Sequence, residues 1–139
     1  MTLERYIKAQ APIYAQALAE LTRGHKQSHW MWYVFPQFSG LGHSPMSQAY
    51  AIQSLQEARE YLSHPVLGAR LRECCQVVMA LEDKTAHEIF RTPDDLKFRS
   101  SLTLFAQAAP EETLFGDLLA KYFDGEEDSA TLELLADQH

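Results

Sequence analysis

The chain carries a carboxylate, Glu57, among aromatic and amide side chains in a pattern that could do chemistry. If residues 44–63 form one helix, then Tyr50, Gln53, Glu57 and Tyr61 follow one another at steps of three or four residues and share a face. A carboxylate between aromatic walls suits a reaction in which positive charge develops, and it could also activate a water molecule. Glu57 is therefore a candidate catalytic residue, and the alternative is a surface glutamate that pairs with a lysine or arginine.

Residues 29–37 contain both tryptophans of the chain, Trp30 and Trp32, beside a tyrosine and a phenylalanine. Aromatic side chains bury large areas, so we expect other elements to pack around this segment. His29 and Gln37 would then lie where apolar walls meet a few fixed polar groups, which is how many small-molecule pockets are built. His29 is the second candidate catalytic residue, and Gln37 is a candidate for ligand binding. The two tryptophans could stack on a ligand, or they could simply belong to the core.

The segment on either side of the aromatic residues offers further ligand-binding candidates. Gly40 and Gly42 lie in a loop rich in helix-breaking residues, where glycines permit positive φ or close approach of another group. Ser44 follows this loop and also resembles a helix N-cap. Lys26, just ahead of the aromatic residues, could form a basic patch with His29, or it could belong to a solvated loop.

A dense polar group follows later in the chain, in a segment that otherwise has helical apolar spacing. The group consists of Lys97, Ser100, Ser101 and Thr103. Hydroxyl side chains inside a helix compete for nearby backbone groups, so we expect the helix to bend or end there. Together with Tyr50, the first three of these residues complete the set of candidate ligand-binding side chains.

Neither a metal nor a cofactor is expected. The six histidines are scattered, and no histidine or cysteine pair has the spacing of zinc ligands. Cys74 and Cys75 are adjacent, and neighbouring side chains on a helix diverge by about 100°, which disfavours a disulfide between them. We expect two reduced, partly buried thiols.

The overall charge excludes some classes of partner. The formal net charge is −7, and the acidic residues concentrate toward the C-terminus, so binding to duplex nucleic acid or to an anionic membrane is not expected. No apolar run approaches the roughly 20 residues that a membrane span needs. The N-terminal residues lack the features of a secretory signal, which predicts a cytoplasmic protein. The sequence leaves the oligomeric state open.

Apolar periodicity and capping residues predict a mainly α fold. Helices are expected over 3–22 with a possible split at Pro12, 44–63, 64–81, 85–90, 93–109, 110–124 and from about 128. The aromatic segment fits a short strand, an irregular segment or a helix equally well. The prediction is a single compact domain over residues 1–139 with about seven helices, and one or two short strands near residues 29–36 remain an option.

Several runs of residues together resemble the DUF1810 family of bacterial proteins. They include His29-Trp30-Met31-Trp32-Tyr33-Val34-Phe35-Pro36-Gln37, Gly40-Leu41-Gly42, His64-Pro65-Val66-Leu67-Gly68 and Pro93-Asp94-Asp95. The resemblance covers nearly the whole chain and implies a small, mostly helical domain of uncharacterised function. Arg91 departs from the family pattern, which favours glycine at this position, so we expect the turn there to differ.

The chain is also similar in outline to the NADAR family, whose members act on ADP-ribose-linked N-glycosidic bonds. The similarity consists of a tyrosine and a glutamate on one predicted helix, a later Leu-Gly-x-Arg-Leu, a stretch of lysine and hydroxyl residues, and a terminal Gly-x-x-Asp. It implies an N-glycosidic-bond hydrolase acting on an ADP-ribose-like or nucleotide-derived compound. By position, Glu57 would correspond to the helix carboxylate of that family.

In the hydrolase, aromatic residues would stack on a base or frame a sugar, and Lys26, His29 or Lys97 would hold phosphates. Two other functions are compatible with the same residues. A non-catalytic module that binds a nucleotide or a small metabolite needs only the aromatic base, the glycine loop and the basic rim. An interaction protein with no ligand is the third possibility, in which the aromatic segment is core alone.

Overall fold

The computed structural model describes residues 2–137 and contains ten helices in that range, joined by short connections. They are α1 (Glu4–Gln10), α2 (Tyr14–Thr22), α3 (Met31–Val34), α4 (Pro45–Ala49), α5 (Leu55–Ser63), α6 (Leu67–Ala80), α7 (Ala86–Phe90), α8 (Asp94–Ala108), α9 (Leu114–Phe123) and α10 (Ser129–Ala136). The fold is thus mainly α, as predicted. Two of the three additional helices arise where predicted helices are divided, and the third, α3, lies in the aromatic segment, for which strand, helix and irregular structure had all been left open.

Side-chain caps determine where several helices begin. The Ser44 hydroxyl accepts from the backbone N–H of Ser47 at 3.1 Å and starts α4. Thr85 and Glu88 exchange hydrogen bonds with each other's backbone amides in a full capping box at the start of α7. These bonds satisfy amides that the first turn of a helix leaves unpaired. Both caps were predicted from the sequence and are confirmed.

The predicted continuous helix over residues 44–63 is wrong. The chain is extended between α4 and α5, and Ile52 forms an isolated parallel bridge with Phe38. The N–H of Ile52 donates to the carbonyl of Gln37 at 2.9 Å, and the N–H of Ser39 donates to the carbonyl of Ile52 at 2.8 Å. Burial of Ile52 and Phe38 therefore outweighs local helical preference. As a result, Tyr50 and Gln53 do not share a helical face with Glu57.

Other helix boundaries differ less from the prediction. The first helical region divides around Pro12, as expected from a residue that interrupts helical hydrogen bonding. Helix α6 begins at Leu67 rather than His64, and α9 begins at Leu114 rather than near Pro110. The differences are a few residues each, because apolar periodicity in the sequence locates the body of a helix better than its ends.

Helix α8 runs through its hydroxyl-rich section to Ala108, in agreement with the predicted span of 93–109. Of the two expected effects of the hydroxyl residues, a bend or an end, the end does not occur. The hydroxyls of Ser100 and Thr103 donate to the carbonyls of Leu96 and Arg99, each four residues earlier, at 3.1 and 2.8 Å. This arrangement satisfies the hydroxyls without removing the helix's own bonds. The three hydroxyl residues are buried instead of lining an exposed face.

Helix α8 lies at the centre of the core, where it packs against α5, α7, α9 and α10. Its Phe98 ring lies 4.9 Å from Phe35 and 4.6 Å from Phe90, measured between centroids. The aromatic segment reaches this core through a single helical turn, α3. The result is one compact domain built around the aromatic residues.

Within residues 2–137, every helix is too short or too polar to cross a membrane. The cytoplasmic location inferred from the sequence stays a prediction.

Candidate ligand-binding surface

Trp30 is part of the core and is held by a buried carboxylate. Its ring is fully buried, and its indole N–H donates to Glu20 at 2.9 Å. Glu20 also accepts from the backbone amides of Gln27 and Ser28, from the Ser28 hydroxyl and from the Gln16 side chain, at 2.7 to 3.0 Å. Trp30 was a candidate for stacking on a ligand, but its fully buried ring has no surface open to one.

Glu20 was missed at the sequence level. It is 1% exposed and lies beside Ala17 and Leu21 on the buried face of α2. The sequence feature that could have identified Glu20 is an acidic residue within the apolar stripe of this helix. Burial alone would raise the pKa of Glu20, but hydrogen bonds from Ser28, Gln27 and Trp30 outweigh it and lower the pKa to about 2. The carboxylate is therefore ionised and fixes the loop that leads into the aromatic segment.

Two lysines converge on one aspartate at the edge of the aromatic segment. The ammonium of Lys26 lies 2.8 Å from Asp94, and that of Lys97 lies 3.7 Å from the other oxygen of the same carboxylate. Lys26 also donates to the carbonyl of Ser28 at 2.5 Å and lies 4.9 Å from the centroid of Trp30. Its side chain is 6% exposed, whereas that of Lys97 is 26% exposed. One carboxylate cannot neutralise both cations, so the group retains positive charge and Lys97 presents it to solvent.

Half-buried aromatic rings continue from Lys97 across the surface. The Lys97 ammonium lies 5.8 Å from the centroid of Trp32. The centroid of Trp32 lies 6.4 Å from that of Tyr33, which lies 5.3 Å from that of Tyr50. We call these four residues, Trp32, Tyr33, Tyr50 and Lys97, the Trp32–Lys97 surface. His29 is exposed at its border, and its carbonyl accepts from the Tyr33 hydroxyl at 3.4 Å.

Glu57 is occupied by contacts within the protein. One carboxylate oxygen lies 3.6 Å from the guanidinium of Arg5, and the other accepts from the backbone N–H of Gln53 at 2.8 Å. Arg5 in turn donates to the carbonyls of Ala49 and Ala51 at 3.0 and 3.1 Å. Both side chains of the ion pair are only 14% exposed. Glu57 and Arg5 thereby fasten α1 and the start of α5 to the extended segment between α4 and α5.

Tyr6 connects the Glu57 group to the Trp32–Lys97 surface. The Tyr6 hydroxyl donates to the carbonyl of Tyr50 at 2.7 Å, and the two rings lie 5.9 Å apart. The Arg5 guanidinium lies 4.3 Å from the centroid of the Tyr6 ring. The path from Glu57 to Tyr50 therefore passes through Arg5 and Tyr6. Sequence analysis did not single out either residue as part of the site.

The remaining candidate residues do not gather at this surface. The Ser44 hydroxyl is exposed and used as the cap of α4, and the carbonyl of Gln37 accepts from Ile52. Ser100 donates within α8, while the buried hydroxyl of Ser101 has no hydrogen-bond partner in the part of the chain described. Of the predicted site residues, the structure brings together Lys26, Trp30, Trp32, Tyr50 and Lys97, with His29 alongside.

The predicted glycine loop borders a separate cavity of about 350 Å³. Its lining includes Ser39, Gly40, Gly42, His43, Gln48 and Gln53. The candidate site residues lie outside this lining. Across residues 2–137, no three histidine, cysteine, aspartate or glutamate side chains are grouped closely enough to hold a metal ion.

The chain belongs to the family described as "Protein of unknown function (DUF1810)", whose model matches residues 1–135. Its structure is similar to the crystal structure of the conserved hypothetical protein Rv1873 from Mycobacterium tuberculosis. The two are 51% identical, the match covers 96% of each chain, and the TM-score is 0.95. No curated protein matches the chain. The DUF1810 resemblance is thus confirmed, while the similarity in outline to the NADAR family receives no support.

Proposed function

We propose that the chain is a binding module that takes an anionic, nucleotide-derived small molecule at the Trp32–Lys97 surface. The observation that carries the proposal is the position of the Lys97 ammonium, 5.8 Å from the half-buried ring of Trp32. An aromatic face beside a cation matches a ligand that joins a flat base to a phosphate.

The local charge supports an anionic ligand. The chain as a whole carries a formal charge of −7, yet Lys26 and Lys97 share Asp94 as their common partner. Lys26 is buried and held by several partners, so its role is to keep Asp94 in place. Lys97 is the more exposed of the two lysines, and its 3.7 Å contact with Asp94 is long enough to be exchanged for a phosphate oxygen.

The aromatic rings support recognition of a base. Trp32, Tyr33 and Tyr50 are half-buried, so each keeps part of its side chain accessible. Tyr33 and Tyr50 pack against the hydrophobic core, and Trp32 lies beside Tyr33. Rings fixed in this way offer contact area at low cost in conformational entropy. The Trp32 face is the natural place for a base, because the phosphate would then reach Lys97.

An N-glycosidic-bond hydrolase that uses Glu57 and His29 has less support. Arg5 and the Gln53 amide engage both carboxylate oxygens of Glu57, and Arg5 and Tyr6 lie between Glu57 and Tyr50. A general base or a group that stabilises an oxocarbenium centre must approach the reacting atoms, which these contacts oppose. Binding without turnover is therefore the function that the geometry favours.

Titration with ADP-ribose, followed by isothermal calorimetry and by tryptophan fluorescence, tests the proposal. We expect ADP-ribose and AMP to bind and adenosine to bind weakly, because adenosine lacks the phosphate. Lys97→Gln should weaken ADP-ribose binding about tenfold, the loss of one hydrogen bond to a charged group. Trp32→Leu should weaken AMP and adenosine alike, since both carry the base.

Lys8→Gln, which changes an exposed lysine on α1, is the matched control and should bind like the unmodified chain. Equal binding by the Lys97→Gln and Lys8→Gln proteins, or no binding at millimolar ligand, would refute the proposal. Chromatography of the same mixtures after long incubation separates the two functions: release of a base or of ribose that Glu57→Gln abolishes would favour the hydrolase.

A further inference from the structure

A cleft of about 440 Å³ lies away from the Trp32–Lys97 surface, where α5 and α6 meet the connection between α8 and α9. Its apolar lining consists of Leu62, Ala108, Ala109 and Pro110. Its polar lining consists of Arg59, Ser63, Arg72, Glu111 and Glu112. A volume of this size falls within the range of known small-molecule sites.

Two of the charged residues neutralise each other. Arg72 donates to both carboxylate oxygens of Glu112, at 2.7 and 2.9 Å, and to the carbonyl of Leu62 at 3.0 Å. Gly68 permits this arrangement, since a Cβ at this position would lie 2.8 Å from the Arg72 guanidinium. The pair forms a fixed wall with little charge left for a ligand.

The other two charged residues remain available. Arg59 uses its Nε–H to reach the carbonyl of Ala108 at 3.2 Å, while its terminal nitrogens have no partner among residues 2–137. Over the same residues, neither the carboxylate of Glu111 nor the hydroxyl of Ser63 makes a hydrogen bond, and both side chains are exposed. The cleft thus combines the guanidinium of Arg59 and the carboxylate of Glu111 with the apolar residues of its lining.

We propose that this cleft binds a zwitterion, namely a free α-amino acid with an apolar side chain. The Arg59 fork matches the planar carboxylate of such a ligand, and Glu111 matches its ammonium group. The floor formed by Leu62, Ala108 and Ala109 takes the apolar side chain. Ser63 adds a hydroxyl that can hydrogen bond to the ligand carboxylate.

The balance of charge separates this ligand from the nucleotide-derived one. A phosphate at Arg59 would lie in the same cleft as Glu111 and would be repelled by it, whereas a zwitterion uses both charges. The two sites share no residue, so binding at either can fail without affecting the other.

Thermal denaturation with leucine, leucinamide and N-acetyl-leucine tests the assignment. Leucinamide lacks the carboxylate and N-acetyl-leucine lacks the ammonium group. We expect leucine to raise the melting temperature in proportion to the logarithm of its concentration, and each analogue to raise it less. Glu111→Gln should weaken leucine about tenfold and leave N-acetyl-leucine unchanged, because that analogue never uses the carboxylate of Glu111.

Arg59→Gln should weaken leucine and leave leucinamide unchanged. Arg23→Gln, at the exposed C-cap of α2, and Glu133→Gln, at an exposed position on α10, are the matched controls. The inference is overturned if leucine gives no shift at millimolar concentration, or if it stabilises the Glu111→Gln and control proteins equally. Should Arg59→Gln unfold, the Glu111→Gln result decides alone, because the Glu111 side chain supports no hydrogen bond within the described chain.

Discussion

The indole N–H of Trp30 lies 2.9 Å from a carboxylate oxygen of Glu20, and both side chains are almost completely buried. Within residues 2–137 this carboxylate forms no salt bridge, and it accepts hydrogen bonds from five donors. Such a group stabilises the fold only while its donors stay in place. Glu20 therefore couples the end of α2 to the aromatic segment.

Replacing Glu20 with Gln should lower the free energy of unfolding by about 3 kcal/mol, because an amide nitrogen would face donors that need an acceptor. Chemical denaturation followed by circular dichroism measures the loss. Glu133→Gln on the exposed face of α10 is the control and should change stability little. A loss for Glu20→Gln no larger than that of the control would contradict the role given to Glu20.

The same carboxylate predicts a dependence of stability on pH. Its pKa falls from an ordinary value of 4.5 to about 2 on folding, so its stabilising contribution is complete above pH 4.5. The contribution is lost as the pH falls from 4.5 toward 2. We expect the melting temperatures of the unmodified chain and of Glu20→Gln to converge over that interval. A constant difference between them from pH 6 to pH 2 would be the opposite result.

Arg91→Gly should stabilise the protein. Arg91 has φ 63° and ψ 164°, a conformation that glycine adopts freely and that other residues adopt at a cost. Relief of that strain exceeds the entropy that glycine adds to the unfolded chain, for a net gain of about 1 kcal/mol. Calorimetry should show a higher melting temperature, and Arg91→Ala, which keeps a Cβ, should show no such increase.

Two glycine-to-alanine substitutions should have opposite effects. A Cβ at Gly68 would lie 2.1 Å from the carbonyl oxygen of Leu62, so Gly68→Ala forces the backbone apart and should cost about 3 kcal/mol. A Cβ at Gly116 in α9 would meet nothing within 4 Å, and Gly116→Ala should gain about 0.5 to 1 kcal/mol from helix propensity. Denaturant midpoints compare the pair directly, and a stable Gly68→Ala protein would show that α5 and α6 can separate.

The two cysteines should be unreactive in the folded protein. Both are fully buried and reduced, and burial raises the pKa of Cys74 to about 12 and that of Cys75 well above its ordinary value. Thiolate is the reactive form, so a disulfide reagent at pH 8 should modify neither thiol until denaturant is added. Rapid reaction of one thiol under native conditions would indicate local opening of α6.

Features encoded by neighbouring residues were predictable from the sequence. The caps at Ser44 and Thr85 and the interruption at Pro12 depend on groups three or four residues apart, and the structure contains all three. The family pattern also identified Arg91 as unusual. Arg91 adopts a positive φ, the backbone region that glycine favours.

Features that depend on distant residues were not predictable in this way. The break before α5 comes from the pairing of Ile52 with Phe38. Apolar periodicity does not reveal this contact, so it predicts one helix over residues 44–63. The same error placed Tyr50 beside Glu57 on a helical face. The true partner of Glu57 is Arg5, which is 52 residues earlier in the chain and has no periodic relation to it. For the surface itself, composition identified Trp32 and Lys97, but only the fold brought them together.

The parallel bridge between Phe38 and Ile52 closes residues 39–51 into a loop whose two ends are held by backbone hydrogen bonds. For a loop closed at both ends, each doubling of length costs only about 0.6 kcal/mol in chain entropy. His43 is exposed in this loop, just ahead of the cap of α4. Extra residues inserted beside His43 would therefore leave the hydrophobic core intact, which makes this loop a practical place to attach a reporter group.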